Sequence, residues 1–253
     1  MERSELPDII TLFAERLAYE PARMFLLRWE TIIYAALAAL FLVLLFWAAG
    51  RKKAVLPGKL QGCAELIVGG IDDFVAGVLG ERGRRFTPFI GTLFLYILVM
   101  NLMGLVPLLK SPTADLSTTL ALALCVFFYV QYTAFRELGF VGYFDHMMGK
   151  PRGAMLLSII LPVFLLFLHL ISEVVRPLTL SVRLRSNIWG DDLLLSILSR
   201  FGIQGLPLLV FSTFLALIAA VVQSLVFCLL TTVYFALAMH GQDEEKKEVT
   251  HGL

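Results

Sequence analysis

Residues 208–239 run for about 32 positions without one formally charged side chain, well beyond the ~20 apolar residues that carry a helix once across a bilayer. Residues 31–49, 86–109, 116–135 and 154–171 are likewise free of formal charge. Five such runs constrain the chain more than any single motif. Hydrophobic residues make up 58% of the sequence and charged ones 16%, against about 45–50% and about 25% for a soluble domain. A chain of 253 residues cannot hide that much apolar surface in one aqueous core without exposing large patches. Lipid is the better solvent for it, and the spacing predicts an all-α integral membrane protein with about five transmembrane helices, membrane-surface helices, and a long, tilted final pair.

The remaining composition narrows the function by exclusion. A net charge of +1 gives no footprint for nucleic acid. Cys63, Cys125 and Cys228 lie far apart without CxxC spacing, so neither a disulfide framework nor a metal site is expected. No HExxH or GxSxG pattern points to a membrane-embedded hydrolase, and no catalytic, cofactor or metal residues are assigned. About thirty polar residues precede the first apolar run, which therefore reads as a retained span, not a cleaved leader. The absence of a transit-like segment favours a bacterial inner membrane.

Basic residues orient the chain. The first span, residues 31–50, is flanked by Trp29 and Trp47 and ends at Arg51, Lys52 and Lys53. Aromatic belts and inward-facing basic clusters place residues 1–30 outside, with a weakly amphipathic stretch over 9–19 between Pro7 and Pro21. Residues 51–85 carry Pro57, Gly58, Glu65, Asp72 and Asp73 and end in Arg82, Arg84 and Arg85. Basic clusters at both ends make this a segment lying on the cytoplasmic face. Residues 86–136 read as a transmembrane hairpin broken outside by Gly104, Pro107 and Pro112. Residues 136–152, with Gly139, Gly142, Gly149, Lys150 and Arg152, read as an inner polar loop. A long hairpin over 153–240 turns near Arg200, Gly202 and Pro207, and residues 241–253 form a charged cytoplasmic tail. No internal repeat is evident, which disfavours a repeat-built transporter.

Charges inside the apolar part carry the functional signal. Glu173, Arg176, Arg183, Arg185, Asn187, Asp191 and Asp192 fall within or beside apolar sequence. Each central Arg or Asp costs about 2.5–3.5 kcal/mol on insertion scales, so together they require protein, water or one another as neighbours. At about 100° per residue, Arg176 and Arg183 are nearly aligned, with Asn187 on the same side and Asp192 opposite. Glu173 is within reach of Arg176 one turn on. A guanidinium does not release its proton, so Arg183 is no relay. It stabilises a carboxylate opposite it and repels free cations, as a fixed charge between two aqueous vestibules would. Glu173 and Arg176 would line one vestibule and Asp191 and Asp192 the other. Arg185, Asp191 and Arg200 also admit an ordinary reading as snorkelling or helix-end charges. Gln223, the only strongly polar side chain in its stretch, is placed to face the arginine or to make a packing hydrogen bond. Asn101 reads as a helix–helix contact and His169 as a satisfied core histidine.

The run Arg176-Pro177-Leu178-Thr179-Leu180-Ser181-Val182-Arg183-Leu184-Arg185-Ser186-Asn187 resembles the signature of subunit a of rotary F-type ATP synthases. Two further stretches agree in order, Asn101-Leu102-Met103-Gly104-Leu105-Val106-Pro107 and Thr113-Ala114-Asp115-Leu116-Ser117-Thr118-Thr119-Leu120-Ala121. Gln223 and Thr231-Thr232-Val233-Tyr234 on the last helix also match. The resemblance implies a stationary subunit with two offset half-channels that pass protons, or sodium ions, to and from the carboxylates of a rotating c-ring. Arg183 would face those carboxylates, and Asn187, Asp192 and Gln223 would line the access paths. It implies peripheral-stalk b subunits and a catalytic head as partners, with no nucleotide site in this chain. Arg185 departs from the family's usual Phe, Asp191-Asp192 from its usual small residue and Glu or His, and Ala216 occupies the position where a polar partner is common. The rival reading of the same charges is a self-contained secondary transporter binding its substrate between Glu173, Arg176, Arg183 and Asp192.

Overall fold

The computed structural model describes Thr11 and residues 20–51, 58–106, 109–148, 157–199 and 201–251. The stretch 9–19 other than Thr11, Lys52, Lys53, Pro57, Pro107, residues 149–156 and Arg200 lie outside the described residues. The described residues run in order through α1 (Glu20–Gly50), α2 (Lys59–Leu79), α3 (Thr87–Met103), α4 (Leu116–Met148), α5 (Leu157–Ser199) and α6 (Leu206–His251). Short 3-10 turns at Glu81–Phe86, Pro112–Ala114 and Gly202–Gly205 join them, and no strand occurs among the described residues. Arg23–Gly50, Glu81–Met103, Leu116–Arg136 and Leu206–Leu237 are each long and apolar enough to cross a bilayer. Helix α5, of 43 residues, is ~65 Å long at ~1.5 Å per residue and carries Glu173, Arg176, Arg183, Arg185, Asp191 and Asp192. The chain is an all-α membrane protein.

Helix boundaries differ from the sequence reading in three places. Helix α1 begins at Glu20, eleven residues before the uncharged run. Pro21 sits in its first turn, where a missing N–H costs nothing. Residues 136–148, expected as loop, stay helical apart from a break at Gly139, whose φ of 70° is open to glycine and strained for other residues. The chain from 241 to 251 continues α6 as helix, because Glu- and Lys-rich sequence has high helix propensity.

At one end of the molecule α2 packs on the start of α3. Asp72 accepts hydrogen bonds from Arg84 Nη1 (2.9 Å) and Thr87 Oγ1 (2.8 Å), while Arg84 Nε pairs with Glu81 at 2.9 Å. Behind this corner Phe86 stacks on Phe235 at 4.5 Å between centroids, and Phe89 meets Tyr129 at 4.4 Å. These rings continue into one core drawn from α1 to α6, including Ala38, Val75, Ile97, Met100, Val126, Leu184 and Phe227. Leu40, Phe41, Val43 and Leu44 of α1 are exposed, the surface a bilayer covers.

At the other end the α3–α4 connection folds back on α3. Ser111 Oγ donates to Met100 O at 3.0 Å, and a Cβ built on Gly104 would stand 2.8 Å from Ser111 Cβ. Gly104→Ala is therefore expected to push the turn away from α3, costing about 1–3 kcal/mol. A lowered unfolding midpoint in mixed micelles checks this, and an unchanged midpoint would show that the turn yields freely.

Candidate functional site: an exposed arginine and a buried polar layer

Helix α5 buries Pro177, Leu180, Ser181, Leu184 and Ile188, the stripe that seats it on its neighbours. Arg176, Arg183 and Asn187 follow one flank of that stripe. Arg176 is half-buried, its guanidinium 5.2 Å from the ring centroid of Tyr234 on α6. Together they border a cleft completed by Ala123, Val126 and Val130 of α4 and by Pro177 and Leu180 of α5. Asn187 and Asp191 are half-buried.

Arg183 is different. It is exposed, and it makes no hydrogen bond or ion pair among the described residues. The flank it stands on also carries Arg176, Thr179, Ser186 and Asn187. Leu178, Val182 and Trp189, exposed too, lie about 100–140° around α5 from it, and Phe211, Phe214 and Ile218 of α6 are exposed as well. A fixed cation thus stands, with no bonded partner among the described residues, on the exterior of the long helical pair. Arg185, on the other flank, is exposed too. The side chains of Glu173, Asp192 and His169 lie outside the described residues. Helical spacing alone places position 192 opposite 183.

A second polar region was only partly legible in the sequence. Asn101 Nδ2 of α3 reaches Ala220 O (3.4 Å) and Ser224 Oγ (3.3 Å) of α6, and its Oδ1 accepts from Thr113 Oγ1 at 2.8 Å. The Thr113 and Ser111 hydroxyls are 2.7 Å apart. Asn101 is therefore the helix–helix contact expected of it. Next to Ser224, Gln223 is buried at 7% exposure, and its Nε2 finds no hydrogen-bond partner among the described residues. Ala216 is buried on the same helix. Thr31 of α1 donates to Asp115 just past the turn. Glu30, expected in the external segment, is 4% exposed inside α1. The signal that would have found it is the helix start at Glu20, hidden by mixed charges over residues 1–30.

These features define a polytopic helical membrane protein with a buried polar layer between its helices and an exposed arginine, Arg183, on its longest helical pair. A family model described as ATP synthase A chain matches residues 32–236, and the chain belongs to that family. ATP synthase subunit a of Protochlamydia amoebophila is 38% identical over 250 residues, covering 95% of this chain and 92% of the relative. ATP synthase subunit a of Desulfotalea psychrophila is 42% identical over 214 residues, 82% of each chain. That of Sulfurihydrogenibium sp. is 37% identical over 211 residues, 83% of this chain and 97% of the relative. Membership makes this chain one component of a multi-subunit membrane complex concerned with ion transport and ATP synthesis.

Proposed function

We propose that this chain is the stationary ion-path subunit of a rotary ATP synthase, offering two offset half-channels through which protons reach and leave the carboxylates of a c-ring. The observation that carries this reading is that Arg183, on the long α5–α6 pair, is exposed and makes no hydrogen bond or ion pair among the described residues. A guanidinium there is costly against lipid and favourable against a partner surface that brings carboxylates. An arriving ring carboxylate is held ionised beside Arg183 and gives up its proton. A free proton or cation meets a fixed positive charge and does not cross directly.

Asn187, Asp191 and Asp192 then serve the path on one side of Arg183, with Gln223 beside it on α6. Arg176 and Glu173 serve the other side, nearer the cleft with Tyr234. Ions driven through this route gain about 2.3 kcal/mol per charge per 100 mV. Peripheral-stalk b subunits and the catalytic head are the further partners. The placement is a bacterial inner membrane, with residues 1–30 outside, 51–85 on the cytoplasmic surface, spans over 31–50, 86–136 and 153–240, and 241–253 in the cytoplasm.

Affinity purification through this chain is expected to bring down ring, stalk and head together. Inverted vesicles carrying the complex are expected to pump protons with ATP, and those carrying Arg183→Ala to pump none at equal assembly. Pumping by the assembled variant, or purification without the ring, would return the intramembrane charges to a self-contained transporter.

A further inference from the structure

Glu30 is a carboxylate with no evident structural duty. It is 4% exposed, and its Oε1 meets no hydrogen-bond partner among the described residues. It shares the inward face of α1 with Tyr34 and Ala38, four and eight residues on, both buried. Its neighbour Thr31 is bonded to Asp115, so this level of α1 lies against the α3–α4 turn. Tyr96 Oη donates to Ala35 O at 3.1 Å, which sets the depth of α1 against the antiparallel α3. Five residues along from that contact, about 7.5 Å on each helix, stand Glu30 and Asn101.

Glu30 therefore lies level with the buried polar groups Asn101, Ser111 and Thr113, and Asn101 carries that layer on to Ser224 and its neighbour Gln223. The register thus sets Glu30 of α1 and Gln223 of α6 on either side of the Asn101 layer, each with a buried polar atom, Oε1 and Nε2, that meets no hydrogen-bond partner among the described residues. Buried groups in this state are served by water or by an ion. Glu30 is also about 30 Å from Gly50, one hydrocarbon thickness, which puts it at the membrane surface on the side where α1 begins.

We propose that Glu30 is the proton-exchanging carboxylate at the mouth of the half-channel on that side, feeding the polar layer that leads to Gln223. The inference rests on the half-channel reading above. A hydronium ion gives its proton to the Glu30 carboxylate and leaves as water. The resulting carboxylic acid passes that proton to water within the layer and returns to the carboxylate. Asp115, held by Thr31, adds a second negative charge that favours cation entry.

The test uses the whole complex in vesicles, with Glu30→Gln, Glu30→Asp and Glu30→His compared for proton-driven ATP synthesis at equal assembly. Glutamine keeps the size and polarity but cannot exchange a proton, so synthesis is expected to fall at least about tenfold. Aspartate and histidine keep a titratable group in different shapes and are expected to retain most of the activity. Wild-type rates in Glu30→Gln would overturn the proposal, and so would losses in all three variants that track shape and not titration. Synthesis driven by a sodium gradient without a proton gradient, lost in Glu30→Gln, would overturn the proton assignment. An Arg183→Gln control separates the two readings. If that control couples normally, the half-channel reading fails; if it is dead while Glu30→Gln is normal, only the role of Glu30 fails.

Discussion

Vesicles carrying Arg183→Gln are expected to show ATP-driven proton pumping below about 1% of wild type, a loss of ~2.7 kcal/mol or more. Glutamine keeps a polar side chain on the exposed flank of α5 but removes the fixed charge that holds a partner carboxylate ionised. Because Arg183 is exposed and makes no bond or ion pair among the described residues, the fold loses little, within about 0.5 kcal/mol. Complex yield should therefore be unchanged. Arg183→Lys keeps the charge but replaces a broad, weakly hydrated fork with a compact and strongly hydrated ammonium, so partial pumping at best is expected. Passive proton leak through vesicles without ATP should rise in the glutamine variant, as the barrier to direct crossing goes with the charge. Normal pumping in Arg183→Gln would show that the guanidinium belongs to packing against a partner and not to ion exchange.

Asn101→Leu is expected to be the most destabilising single change in the polar layer. Leucine matches asparagine in size but withdraws the acceptor of Thr113 and the donor to Ser224 and Ala220 O. A buried group left unsatisfied costs about 1–3 kcal/mol, while hydrogen bonds within membrane proteins average about 0.6 kcal/mol because the membrane-embedded unfolded chain also finds partners. A loss of about 2 kcal/mol follows, read as a lower unfolding midpoint in mixed micelles. The double variant Asn101→Leu with Thr113→Val should cost less than the sum of the two, since both remove one hydrogen bond. Strict additivity would mean that Asn101 and Thr113 act independently, and that the layer does not join α3 to the turn.

The membrane class and the all-helical fold were legible in the sequence because they rest on local properties. Uncharged runs of bilayer length need no partner to be recognised, and the spacing from Arg176 to Arg183 to Asn187 fixes a common flank wherever the helix sits. The Asn101 and Thr113 motifs were visible as residues, yet their mutual hydrogen bond joins positions that only the α3–α4 turn brings together. Residues 136–148 misled because glycine spacing suggests a loop, while the chain needs only one break, at Gly139.

By itself the sequence determined that this chain is a helical membrane protein, which helices carry charge, and which family it resembles. Periodicity and hydropathy act within a single element and survive without tertiary context. The tertiary structure alone decided which polar groups are buried. It left Arg183 exposed on the flank of α5, enclosed Gln223, and buried Glu30 next to the Thr31–Asp115 bond. Burial is a property of the neighbours, and those neighbours lie as far away as Asp115 from Thr31, or Ser224 from Asn101.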